Sequence, residues 1–140
     1  MTSPPRPAFT ARPGTDIEHG TAFAPLFDRD GLLPVIASDA TTGEILMFAW
    51  TNAAALELTL STGYAHFWSR SRAKLWQKGW DSGNRLRVIE ARTDCDQDVL
   101  WLAVSVEGDG VACHTGARSC FYRRLEIGPA APKPVALQRA

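Results

Sequence analysis

Proline placement sets the outer limits of any fold this chain can adopt. Seven of its nine prolines stand near the ends, at Pro4, Pro5, Pro7 and Pro13 and again at Pro129, Pro132 and Pro134. Each fixes its own φ and withholds a backbone N–H, so neither stretch suits the interior of a helix or sheet. The ends also lack hydrophobic periodicity. Residues 1–25 and 128–140 therefore read as poorly ordered tails around one folded body at 26–127.

Within the body the pattern is mostly strand. Leu33-Pro34-Val35-Ile36-Ala37 and Ile45-Leu46-Met47-Phe48-Ala49-Trp50 flank Asp39-Ala40-Thr41-Thr42-Gly43, the sequence of a hairpin. Asn52 is placed to cap a short helix through Ala53, Leu56 and Leu60, and Gly63 to end it. Tyr64–Arg70, Arg85–Thr93, Val99–Val106 and Ser119–Ile127 are further strand candidates. Val99–Val106 is apolar on both faces and reads as central. The expected fold is mainly β, a β-rich α+β domain with a small antiparallel sheet and one clear helix.

Net charge is zero, with fifteen basic and fifteen acidic residues, which argues against a general nucleic-acid sleeve or a polybasic membrane anchor. The longest strongly apolar run, Ile45–Trp50, falls far short of the roughly 20 residues a spanning helix needs. The N-terminal stretch lacks the apolar segment of a secretory leader, and three cysteines cannot pair completely. Both features point to a reducing, cytoplasmic setting.

The overall neutrality hides a local asymmetry. Between His66 and Arg92 seven cationic residues face only Asp81 and Glu90. Ser69, Ser71, Gly79, Ser82 and Gly83 interleave with these cations. Hydroxyls and glycines let backbone N–H groups approach an anion, while Arg and Lys add charge-assisted bonds. Ser69-Arg70-Ser71-Arg72 and Lys78-Gly79 thus read as a phosphate cradle, with Trp76 a candidate to stack on a base.

Asp94-Cys95-Asp96-Gln97-Asp98 follows at once. In an extended segment its three aspartates share one face and Cys95 takes the other. Such carboxylates repel unless a cation neutralises them, and hard oxygen donors beside phosphates suit Mg²⁺. Cys95, Cys113 and Cys120 stand beside acidic, histidine and serine neighbours respectively. Buried core is the ordinary fate of a free cysteine; three protein ligands with one open position is the arrangement of a catalytic zinc. His114, next to Cys113, is the candidate proton carrier.

Together these segments resemble the phosphoribosyl-AMP cyclohydrolase family. The resemblance rests on Ser69-Arg70-Ser71-Arg72, Leu75-Trp76-Gln77-Lys78-Gly79, Ser82-Gly83-Asn84, Asp94–Asp98, Ala112–Gly116 and Arg118–Arg123, in that order. It implies a zinc-dependent hydrolase that opens the purine ring of N1-(5-phosphoribosyl)-AMP at N1–C6 in histidine biosynthesis. It further implies an intertwined homodimer, with zinc on Cys95 of one chain and Cys113 and Cys120 of the other. Magnesium would fall on Asp94, Asp96 and Asp98. Where the family usually has glutamate after Lys-Gly, this chain has Trp80, followed by Asp81. The competing readings are a relative acting on another purine nucleotide and a zinc-stabilised RNA-binding module.

Overall fold

The computed structural model describes residues 7–140. Its elements run β1 (Leu32–Asp39), β2 (Ile45–Asn52), α1 (Ala53–Thr62), β3 (His66–Ser69) and β4 (Lys74–Gln77). They continue with β5 (Leu86–Thr93), β6 (Leu100–Val106), β7 (Arg123–Leu125) and β8 (Leu137–Arg139). The main sheet has the order β2-β1-β6-β5. β1 pairs antiparallel with β2, β5 with β6, while the inner strands β1 and β6 are parallel. Two small hairpins, β3-β4 and β7-β8, complete the fold. The β-rich expectation holds, and among the described residues no helix is long and apolar enough to cross a membrane.

Alternation along the inner strands places the core. Leu33, Val35 and Ala37 of β1 and Leu100, Leu102 and Val104 of β6 point to one face and are buried. Leu56 from α1, Phe67 from β3 and Leu86 from β5 join them in one cluster. The opposite face stays half open, with Phe48 and Trp101 both in register with Ile36 and each more than 40% exposed. α1 forms as its ends dictate. The Asn52 side chain accepts the Ala55 N–H at 2.9 Å, and Gly63 at φ 78° returns its N–H to the Thr59 carbonyl.

The ends correct the expectation of loose tails. Phe9 meets Phe23 edge-on at 5.5 Å, and Phe9, Phe23 and Phe27 pack against the core, with Ala24 fully buried. Three aromatics supply the burial that periodicity did not advertise. Residues 1–6 of the expected tail lie outside the described ones. At the other end, β8 pairs with β7, Leu137 facing Leu125, though this hairpin is exposed. The expected strand Ser119–Ile127 shrinks to β7. Ser119 turns its hydroxyl to the Ile45 carbonyl and accepts the Phe121 N–H, diverting the backbone into a turn.

Replacing the Asn52 cap should lower unfolding free energy by about 1 kcal/mol. Urea titration of Asn52→Ala should show an earlier midpoint at unchanged slope; an unchanged midpoint would mean the cap contributes nothing.

Candidate active site

The β3-β4 hairpin and the loop after it wall a cavity of about 1320 Å³. Ser69, Arg70, Ser71 and Arg72 form one rim. There the two serine hydroxyls lie 3.4 Å apart, and the Arg72 N–H donates to Ser69 Oγ at 3.2 Å. The Arg70 guanidinium rests over Trp50 at 4.8 Å. Lys78, Gly79 and Ser82 line the facing wall, whereas Gly83 does not. Gly83 instead closes the turn, donating its N–H to the Gly79 carbonyl at 2.9 Å.

Gly79 has a structural reason to be glycine. Its φ is +79°, and a Cβ there would sit 2.3 Å from the Asn84 backbone. Trp76, the candidate to stack on a base, lines the cavity. Its ring packs on Phe67 at 5.2 Å, with the Lys78 ammonium 6.0 Å from its centroid. The exposed aromatic of the wall is Trp80, which carries the Arg85 guanidinium at 5.4 Å. Residues 78–83 form turns rather than a strand, so Trp80 and Asp81 both reach the cavity.

Two histidines share the wall. His114 was singled out in the sequence by its neighbour Cys113, and it lines the cavity. His66, at the start of β3, is the more firmly held. It is 8% exposed, and its Nδ1 lies 2.7 Å from the Tyr64 carbonyl. Hydrogen bonding to a carbonyl requires the proton on Nδ1, which leaves Nε2 as an acceptor.

Cys113, beside His114 in the chain, is buried, and the Cys113 and Cys120 thiols influence each other's proton affinity. The Thr115 hydroxyl donates to Cys113 Sγ at 3.0 Å. That bond, the Thr115 N–H, Cys120 and the Lys78 charge together hold the Cys113 thiol below its ordinary range. Desolvation and the neighbouring Cys113 push Cys120 up. Of the two, Cys113 is therefore the thiol that gives up its proton more readily. Its loop is pinned to the β1-β2 hairpin: the Cys120 N–H donates to the Leu46 carbonyl at 2.7 Å, and Arg118 forks to Glu44 and Asp39 at 2.6 and 2.8 Å. Cys95 is exposed, and no three-donor group of one chain joins it to Cys113 and Cys120 among the described residues.

Asp94, Asp96 and Asp98 do converge, with ligand oxygens within 4.8 Å of one another. They do so on a turn and not on the extended segment expected, because Gln97 adopts φ +55° and its N–H returns to the Asp94 carbonyl. Separate faces for the carboxylates and Cys95 therefore do not follow from strand alternation. Hydrogen bonding with the Asp96 and Asp94 carboxyls, reinforced by their charge, pushes Asp98 up to about 6. Partial desolvation raises Asp94, but bonds with Asp96 and Asp98 outweigh it and leave Asp94 low. Crowded oxygens that retain a proton this readily fit a hard divalent cation.

The family profile for phosphoribosyl-AMP cyclohydrolase matches residues 47–122. A phosphoribosyl-AMP cyclohydrolase of Brucella anthropi is 59% identical over 119 residues, covering 84% of each chain. The namesake from Brucella canis is 58% identical over 84% of this chain and 86% of its own. That from Sinorhizobium medicae is 56% identical over 113 residues, covering 81% of this chain and 75% of its own.

The aspartate turn generates a pH test. With Asp98 raised from 3.8 to about 6, the folded chain binds more protons than the unfolded one between those values. Unfolding free energy from this group then falls as pH rises through that window. Chelator-treated wild type should lose stability relative to Asp98→Asn from about pH 4 to about pH 6. A constant difference across denaturant titrations would remove the crowding.

Proposed function

The chain belongs to the phosphoribosyl-AMP cyclohydrolase family, and we propose that it hydrolyses N1–C6 of N1-(5-phosphoribosyl)-AMP in L-histidine biosynthesis, giving the formimino-carboxamide ribonucleotide. The observation that carries this reading is a shared wall: His114, the chain neighbour of Cys113, lines the cationic cavity together with Arg70, Arg72 and Lys78. Phosphate recognition and thiolate chemistry thus meet at one place. A chain of zero net charge gives an RNA-binding module less support.

Opening the ring needs the nucleotide held, water brought to C6 and a proton delivered to N1. Ser69, Ser71 and Ser82 offer hydroxyls, and Arg70, Arg72 and Lys78 offer charge to the two phosphates, so that binding energy becomes alignment. Cys113 and Cys120, with Cys95 from a second copy, are the soft donors that would hold zinc. When bound, zinc would supply the Lewis acidity that makes water nucleophilic at neutral pH. His114 carries the proton to N1. His66, its Nδ1 proton committed to Tyr64, presents Nε2 to the cavity as an acceptor. Asp94, Asp96 and Asp98, whose ligand oxygens converge, would hold magnesium.

The homodimer has its own support. Phe48, Ile36 and Trp101 form an apolar stripe across the open sheet face, and Cys95 stands apart from its partners within one chain. A second copy supplies both a cover and the third thiol. The odd set of free cysteines supports a reducing, cytoplasmic setting. At the family's glutamate position, Trp80 can neither move a proton nor hold a metal, and Asp81 beside it takes the acid's place.

Cys95→Ala and Cys113→Ala should each lose zinc and turnover. Mixed and allowed to exchange subunits, they should regain about a quarter of wild-type cyclohydrolase rate, because half of the dimers are hybrids with one intact site. No recovery after verified exchange would contradict the shared site. Asp81→Asn should lower kcat/KM at least tenfold, about 1.4 kcal/mol of transition-state stabilisation. A rate within twofold of wild type would relieve Asp81 of the role.

A further inference from the structure

Gln97 occupies the fourth position of the aspartate turn, between two of the carboxylates, yet contributes no charge and no ligand. It is 5% exposed. Its whole amide is spent on the N-terminal arm. Oε1 accepts the Ala24 N–H at 2.8 Å, and Nε2 donates to the Ile17 carbonyl at 3.0 Å and the Ala22 carbonyl at 3.3 Å. A flipped amide would set Oε1 against two carbonyls and Nε2 against an N–H, so only one orientation is satisfied. Its backbone joins in, the Gln97 carbonyl accepting the Leu26 N–H at 2.8 Å. A second tie comes from Arg12, whose Nη1 donates to the Ala24 carbonyl at 2.8 Å and the Asp96 carbonyl at 3.2 Å.

These ties bear on the carboxylates through the backbone. Gln97 sits at φ +55°, a left-handed conformation uncommon for a residue with a long side chain. That conformation, with the Gln97 N–H on the Asp94 carbonyl and the Asp98 N–H on Asp94 Oδ1, turns the segment so that Asp94, Asp96 and Asp98 converge. An unsupported turn would be free to relax toward extended backbone, and mutual repulsion of the carboxylates would favour that. The arm's backbone groups hold it closed.

We infer that Gln97, with Arg12, is a positioning residue that latches the N-terminal arm onto the aspartate turn and sets its affinity for a divalent cation. The inference rests on the magnesium reading proposed above. The arm, through Phe9, Phe23 and Phe27, is itself anchored in the core. Carboxylate spacing is thereby fixed from outside the turn.

The test uses full-length protein and Mn²⁺, whose binding is read by electron paramagnetic resonance, with Asp96→Asn as the control that identifies the site. Gln97→Met keeps the length of the side chain and removes all three amide bonds. Arg12→Ala removes the second tie at a partly exposed position and keeps the test open if Gln97→Met does not fold. The expected result is Mn²⁺ affinity at least tenfold weaker in Gln97→Met and at least threefold weaker in Arg12→Ala. Zinc content should be unchanged, and cyclohydrolase turnover should return to wild-type kcat at high Mg²⁺. Rescue by excess metal is the signature a merely structural role would not give. Affinity within twofold of wild type in the folded variants overturns the latch. Wild-type protein whose Mn²⁺ binding is absent, or is unaffected by Asp96→Asn, overturns the magnesium reading itself and the latch with it.

Discussion

The fork from Arg118 to Glu44 and Asp39, beside the Cys120 N–H on the Leu46 carbonyl, is the contact on which the site depends. Residues 112–120 contain no helix or strand, so nothing in their own local structure fixes where the thiols lie. The β1-β2 hairpin does this for them. Asp39 closes that hairpin's turn by accepting the Thr41 and Thr42 N–H groups, and the same bonds hold its carboxyl below the ordinary range, so it remains an anion for Arg118. One aspartate thus shapes the turn and anchors the loop. The sheet, pinned by its buried face, carries the thiol loop through these contacts.

Two loops that bear the chemistry are therefore held by different means. The thiol loop leans on the edge strand β2 and its turn. The aspartate turn leans on the N-terminal arm through Gln97 and Arg12. Two guanidinium groups stack on aromatics of the cavity wall, Arg70 on Trp50 and Arg85 on Trp80. Such stacking holds a guanidinium in place while leaving its donors directed at a ligand. The buried Arg85 Nε has no hydrogen-bond partner among the described residues, so that guanidinium retains unspent donor capacity.

Much of the fold was legible because local chemistry and tertiary packing agree. Asn52 and Gly63 cap α1 as their residue types predict, and Leu100–Val106 lies inside the sheet as its apolar character requires. The cradle residues from Ser69 to Ser82 were visible as charge interleaved with hydroxyl and glycine. What stayed hidden was tertiary in origin. The arm reads as a tail because Phe9, Phe23 and Phe27 are too far apart to form a period, and only the core shows why they are there. β4 was missed because four residues, Lys74–Gln77, show too little alternation to separate from the cationic motif around them. The aspartates look extended by spacing, while a positive φ at Gln97, which no propensity announces, folds them into a turn. The hold on His66 by Tyr64 and Thr59 was not legible because it depends on the helix packing beside it.

The central claim is that the cationic cavity and the Cys113–Cys120 loop, joined through His114, act as one site on one nucleotide. The most direct measurement is the reaction itself: zinc- and magnesium-loaded wild-type protein with N1-(5-phosphoribosyl)-AMP, followed by ultraviolet absorbance and product mass. The account predicts complete conversion to the formimino-carboxamide ribonucleotide with one water added, and loss of that conversion when zinc is stripped from folded protein. Folded, fully loaded protein that leaves the purine ring closed would contradict it.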